Sequence, residues 1–259
     1  MREFLINLFD DNAFGLEIGL FSIWHFVYII LIVGLTFLGA YLLKNKAKKT
    51  KTTVLNVLSL IVIILYVADF FFQPLYTSDN EMMIEKLPFH ICTFMGIMAV
   101  FAQFNKKFQK IKEPIVVLSI VATLMYITYP GSALGGVSPL SYRVIETFLF
   151  HGTLFAWGVL NLTTGTVALN FKNIWQEFAG LIIIALWANL GNNIYSSVEH
   201  HYDWFFMTGS TFPFIPSAIM PFVVVLSVFT MVVIIYSIYY LAKTFVTKQV
   251  VKDKTISYN

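Results

Sequence analysis

Residues 22–51 read SIWHFVYIILIVGLTFLGAYLLKNKAKKTK. From Ser22 to Leu43 no side chain is charged at neutral pH except through His25. Five lysines then follow at positions 44, 46, 48, 49 and 51. About 20 consecutive apolar residues are what a helix needs to cross the hydrocarbon core of a bilayer. A lysine cluster just beyond such a run is what the positive-inside rule places on the cytoplasmic side. This one stretch therefore fixes both the solvent of the fold and a direction through it.

The rest of the chain repeats the pattern. Of 259 residues, 58% are hydrophobic and 12% charged. Soluble domains carry about 45–50% apolar and about 25% charged residues. A soluble globular enzyme, a disordered chain and a coiled coil are excluded on that ground. The expected fold is all-α: a polytopic membrane protein, one domain over residues 1–259, a bundle of seven transmembrane helices. The spans are expected at roughly 22–43, 54–74, 88–105, 114–130, 142–163, 174–194 and 217–242. Gly, Pro and charge concentrate between them, as in loops. The first 21 residues hold no small-residue cleavage site before their acidic residues, so no removable signal peptide is expected.

Lys and Arg divide by side. The first, third and fifth linkers and the C-terminal tail hold 14 of the 17 basic residues; Arg2, Lys86 and Arg143 fall on the opposite side. An odd number of spans then puts the N-terminus outside and the C-terminus in the cytoplasm. Lysines spent on topology give no reason to expect nucleic acid, despite a net charge of +3. Lys over Arg, with abundant Phe, Ile and Asn, suits a bacterial plasma-membrane protein.

Ionisable groups inside a span are costly and mark candidate sites. They are His25, Asp69, His90, Cys92, Glu146 and His151, with Glu177 read as interfacial. At about 1.5 Å per residue, Asp69 lies roughly 7 Å from the outer end of its span, Cys92 about 6 Å and His151 about 13 Å. Asn189, Asn192 and Asn193 end the sixth span on the same side. All fall in the outer half, which implies one polar cavity opening outward. Helical spacing groups Asp69 with Gln73, Arg143 with Glu146, and Thr147 with His151. His90 and Cys92, two apart, diverge on a regular helix. His200, His201 and Asp203 lie in the last outer linker, but adjacent residues rarely ligate one ion well and no spaced third and fourth ligand completes a metal site. No metal or other cofactor is expected. That linker, with its aromatic residues and Pro213 and Pro216, reads as a lid at the interface.

Leu87-Pro88-Phe89-His90-Ile91-Cys92 resembles the Leu-Pro-x-x-x-Cys signature of the YwaF-like bacterial integral membrane proteins. Phe150-His151, about 59 residues on, matches a second family position. Asp203-Trp204-Phe205-Phe206-Met207 with Pro213 is similar to the family's aromatic stretch before the last helix, with Asp-Trp where the family favours Asn-Tyr. Gly152 stands where a second family His is absent. Similar animal proteins are transmembrane acyltransferases acting on ether phospholipids through a Cys nucleophile and a His. The resemblance implies a lipid acyltransferase or transacylase with Cys92 as nucleophile, His151 as base and membrane phospholipid as partner.

Chemistry at these positions would need His151 to take the thiol proton. Asp69 or a sixth-span Asn would orient the imidazole, and Thr147 or Asn193 would stabilise an oxyanion. His90, Glu146, Asn189, Asn192 and Asn193 complete the expected substrate-binding set. The alternative is a small transporter or sensor, with Asp69, Glu146 and His151 as an ion or proton site.

Overall fold

The structure is a computed structural model that describes residues 7–12, 15–75, 80–130, 136–196, 202–207 and 215–256. His200 and His201 lie outside the described residues. Among those described there are eight α-helices and no strand: α1 (Ile23–Leu43), α2 (Lys48–Phe72), α3 (Asn80–Glu85), α4 (Ile91–Phe104), α5 (Lys112–Thr128), α6 (Tyr142–Thr163), α7 (Ile174–Tyr195) and α8 (Met220–Ile256). Each expected span coincides with a helix, and the short α3 is additional.

Five helices are long and apolar enough to cross a membrane: α1, α2, α5, α7 and α8. α4 is apolar but has only 14 residues, about 21 Å of helix, against a core of about 30 Å. α6 has 22 residues but carries Arg143, Glu146 and His151 and is not among the five.

α5 is the central helix, with 61% of its apolar window buried. It packs on α4, α6, α7 and α8, while α1 and α2 lean on α6. Lipid offers apolar side chains as good an environment as a neighbouring helix does, so close packing rather than hydrophobic transfer must hold such a bundle. Small residues permit it. A Cβ on Gly158 of α6 would lie 2.6 Å from Ile120 of α5, and one on Gly152 would lie 2.7 Å from Ile32 of α1. A Cβ on Gly96 of α4 would meet Val62 of α2 and Phe150 of α6 at 3.1 Å.

Polar clamps add direction to this packing. Ser22 caps α1 by accepting from the His25 amide at 3.4 Å. His25 is fully buried. Its Nδ1 accepts from the Phe21 amide at 3.1 Å, and its Nε2 donates to the Ile127 carbonyl at 2.9 Å. One neutral imidazole thus ties the start of α1 to the end of α5.

Candidate functional site

The segment Leu87–His90 does not open α4 as a helical turn. The Phe89 amide bonds to the Leu87 carbonyl at 2.7 Å, His90 is the extended N-cap, and α4 begins at Ile91. Tertiary contacts hold the turn. The Trp187 indole donates to the Pro88 carbonyl at 2.7 Å. The Phe89 ring lies 5.0 Å from Trp187 and 4.9 Å from Trp204. Gly191 makes room for that ring, since a Cβ there would come within 2.5 Å of it. Because His90 is extended, the 200° divergence of a regular helix does not separate it from Cys92.

Cys92 then faces α5. Its thiol donates to the Ala122 carbonyl at 3.5 Å. His151 reaches the same helix from α6: its ring stacks on Tyr126 with centroids 3.6 Å apart and planes 8° from parallel. Ala122 and Tyr126 are four apart and share one face of α5. Helix carbonyls point toward the C-terminal end, whereas side chains lean toward the N-terminal end. The two contacts therefore converge from their one-turn offset. Cys92 lies one turn from Gly96, which receives Phe150, the residue before His151. Thiol and imidazole thus belong to one α4–α5–α6 junction.

On α5 the partner of the thiol lies farther from the helix end than the partner of the imidazole. Ala122 lies six residues inside the end of α5 and Tyr126 two, about 9 and 3 Å. The thiol and the imidazole thus meet α5 within about one turn of each other.

The imidazole is oriented by its own helix. Nδ1 of His151 lies 2.7 Å from the Thr147 carbonyl; a carbonyl only accepts, so Nδ1 carries the proton and Nε2 is left as the acceptor. The Thr147 hydroxyl is 3.3 Å from the Tyr126 hydroxyl. The Thr147 carbonyl thus holds the imidazole. His90 is within electrostatic range of both His151 and Asp203, and its ring lies 6.4 Å from Phe206.

Asp69 belongs to a neighbouring group. It is ion-paired with Lys86, whose carbonyl accepts from Tyr66 at 2.9 Å. Glu146, one residue before Thr147, is buried and within electrostatic range of Asp69 and Lys86. Gln73, four residues beyond Asp69, is fully buried, with neither amide atom bonded among the described residues. Arg143 reaches Asp11 at 3.2 Å.

The three asparagines part company. Asn192 is buried; it accepts from the Trp204 amide at 2.9 Å and donates to the Trp204 carbonyl at 3.2 Å. It anchors a short 3₁₀ turn, Trp204–Phe206, in which Phe205 and Phe206 have φ of 62° and 55°. Two left-handed non-glycine residues cost on the order of 1–2 kcal/mol each, so the anchor matters. Asn189 and Asn193 lie on the exposed face of α7, bonded through Asn193 Nδ2 to the Asn189 carbonyl at 2.8 Å.

Sequence reasoning missed a second polar group at the Lys-rich end. Glu177, in the first turn of α7, is fully buried. It meets Tyr236 of α8 and, through it, Glu113 of α5. Both glutamates sit in the first turn of their helices, where a negative charge is favoured by the macrodipole. That position was a usable sign, but the covering tyrosine, 59 residues from Glu177, was not.

A helical bundle with several apolar helices of spanning length and titratable side chains buried among them is that of a multi-pass membrane protein. The chain belongs to the TMEM164 family, whose model matches residues 20–240. No curated protein and no solved structure matches it.

Proposed function

We propose that this protein is a membrane-lipid transacylase that uses Cys92 as nucleophile and His151 as base. The observation that carries the reading is the approach of both side chains to one face of α5, the thiol at Ala122 and the imidazole at Tyr126. The Thr147 carbonyl keeps Nδ1 protonated, so Nε2 is the atom able to take the thiol proton.

The sequence of bonds follows. Nε2 accepts the thiol proton, and the thiolate attacks the ester carbonyl of a phospholipid. The ester C–O bond breaks, the lysophospholipid oxygen takes the proton back from the imidazolium, and the acyl chain remains as a thioester on Cys92. A second lysophospholipid then gives its hydroxyl proton to Nε2 and attacks the thioester, restoring the thiol. With seven spans, the N-terminus outside and the C-terminus in the cytoplasm, this junction faces the outer leaflet of the plasma membrane. A phospholipid meets such a site from the bilayer, whereas cytoplasmic acyl-CoA does not.

The second reading, an ion or proton site on Asp69, Glu146 and His151, is favoured by one observation: Glu146 is buried within electrostatic range of the Asp69 carboxylate and of Lys86. Transfer of a labelled acyl chain to lysophospholipid in proteoliposomes separates the two. The transacylase predicts transfer that falls at least about 100-fold in Cys92→Ala and in His151→Ala and survives in Glu146→Gln. Dependence on Glu146 with indifference to Cys92 favours the ion site.

A further inference from the structure

At the Lys-rich end, three helices meet on one hydroxyl group. Tyr236 Oη of α8 lies 2.9 Å from Glu113 Oε1 of α5 and 2.7 Å from Glu177 Oε1 of α7. A phenol has one hydrogen, and an ionised carboxylate has none. One proton cannot make both contacts, so a second must be present in the chain.

The surroundings show where it sits. Glu113 already faces two donors: the Asn170 amide on Oε1 at 2.6 Å and the Asn173 side-chain amide on Oε2 at 2.8 Å. With the phenol that makes three, the environment of an ionised carboxylate. Besides the phenol, the only donor at Glu177 among the described residues is its own backbone amide. It is fully buried, and its Oε2 has no hydrogen-bond partner among the described residues. A buried carboxylate with a bare oxygen carries a large desolvation cost, whereas a neutral carboxyl satisfies the geometry as it stands. Two nearby titratable groups, Lys112 and Tyr240, are engaged elsewhere. Lys112 donates to Gln103 at 2.8 Å and lies over the Trp157 ring, and Tyr240 donates to the Leu169 carbonyl at 3.0 Å. Lys172 is exposed on the 3₁₀ turn.

We infer that Glu177 is a proton-binding site: it holds a proton at neutral pH and donates it to Tyr236 Oη, which donates in turn to ionised Glu113. The bound proton links α7, α8, α5 and the Asn170–Asn173 turn into one directed chain. It lies at the opposite end of the bundle from Cys92 and His151.

The test is infrared spectroscopy and thermal unfolding of the full-length protein in nanodiscs at neutral pH. The protonated-carboxyl stretch of Glu177 is expected in the wild type, lost in Glu177→Gln and shifted in Tyr236→Phe. Gln reproduces the donor and acceptor of a neutral carboxyl, so Glu177→Gln is expected to unfold within about 2 °C of the wild type. Gln at position 113 turns an amide donor toward groups that themselves donate; Glu113→Gln is expected to unfold at least about 4 °C lower. Identical wild-type and Glu177→Gln spectra in that region would overturn the inference. So would an unfolded Glu177→Gln, or a greater loss in Glu177→Gln than in Glu113→Gln.

Discussion

His151 owes its state to two neighbours from different helices. The Thr147 carbonyl fixes the tautomer and the Tyr126 ring fixes the plane. Stacking of this kind contributes about 0.5–1.5 kcal/mol beyond simple burial, so removing the ring should loosen the base without removing it. Tyr126→Leu is predicted to lower acyl transfer by about 3–10-fold, and Tyr126→Phe by less, in initial rates at equal protein. Equal rates for Leu and Phe would show that the ring does not hold the imidazole. Cys92, His90 and His151 could be nominated from sequence because ionisable side chains stand out in apolar spans. Their common approach to α5 could not, because it depends on where α4 begins and how it packs.

That starting point is set at the scale of elements. Pro88 suggests a first helical turn, yet α4 opens three residues later because Phe89 is claimed by α7 and by the Trp204 turn. Long-range aromatic contacts thus override a local proline signal, and no spacing within residues 87–92 announces it. Gly191 is the hinge of this arrangement. Gly191→Ala places a Cβ 2.5 Å from the Phe89 ring, and overpacking of that kind costs about 1–3 kcal/mol. The predicted result is a thermal unfolding midpoint several degrees lower, with faster hydrogen exchange at the amides of residues 89–92. An unchanged midpoint and exchange would mean that the turn is held by something else. The helices themselves were readable because length and apolarity decide them. The burial of Glu177 was not readable, because it depends on Tyr236 from a helix late in the chain.

For the whole molecule, lysines mark one end of the bundle and the Cys92–His151 junction lies toward the other. Seven spans with the N-terminus outside predict that a single cysteine at Asn45, in a Cys92→Ala background, is labelled by an impermeant maleimide only after the membrane is opened. A cysteine at Asn12 should be labelled in intact cells. The reverse pattern would turn the junction toward the cytoplasm and supply it from the inner leaflet.

The central claim is that Cys92 accepts an acyl chain from a membrane lipid with the help of His151. Intact-mass spectrometry of the purified protein, after incubation with a phospholipid bearing a tagged acyl chain, measures this directly. The account predicts a single hydroxylamine-sensitive acyl adduct on the wild-type protein. It predicts no adduct on folded Cys92→Ala and a strongly slowed one on His151→Ala. A wild-type protein that remains unmodified, or an adduct that persists without the thiol, would contradict it.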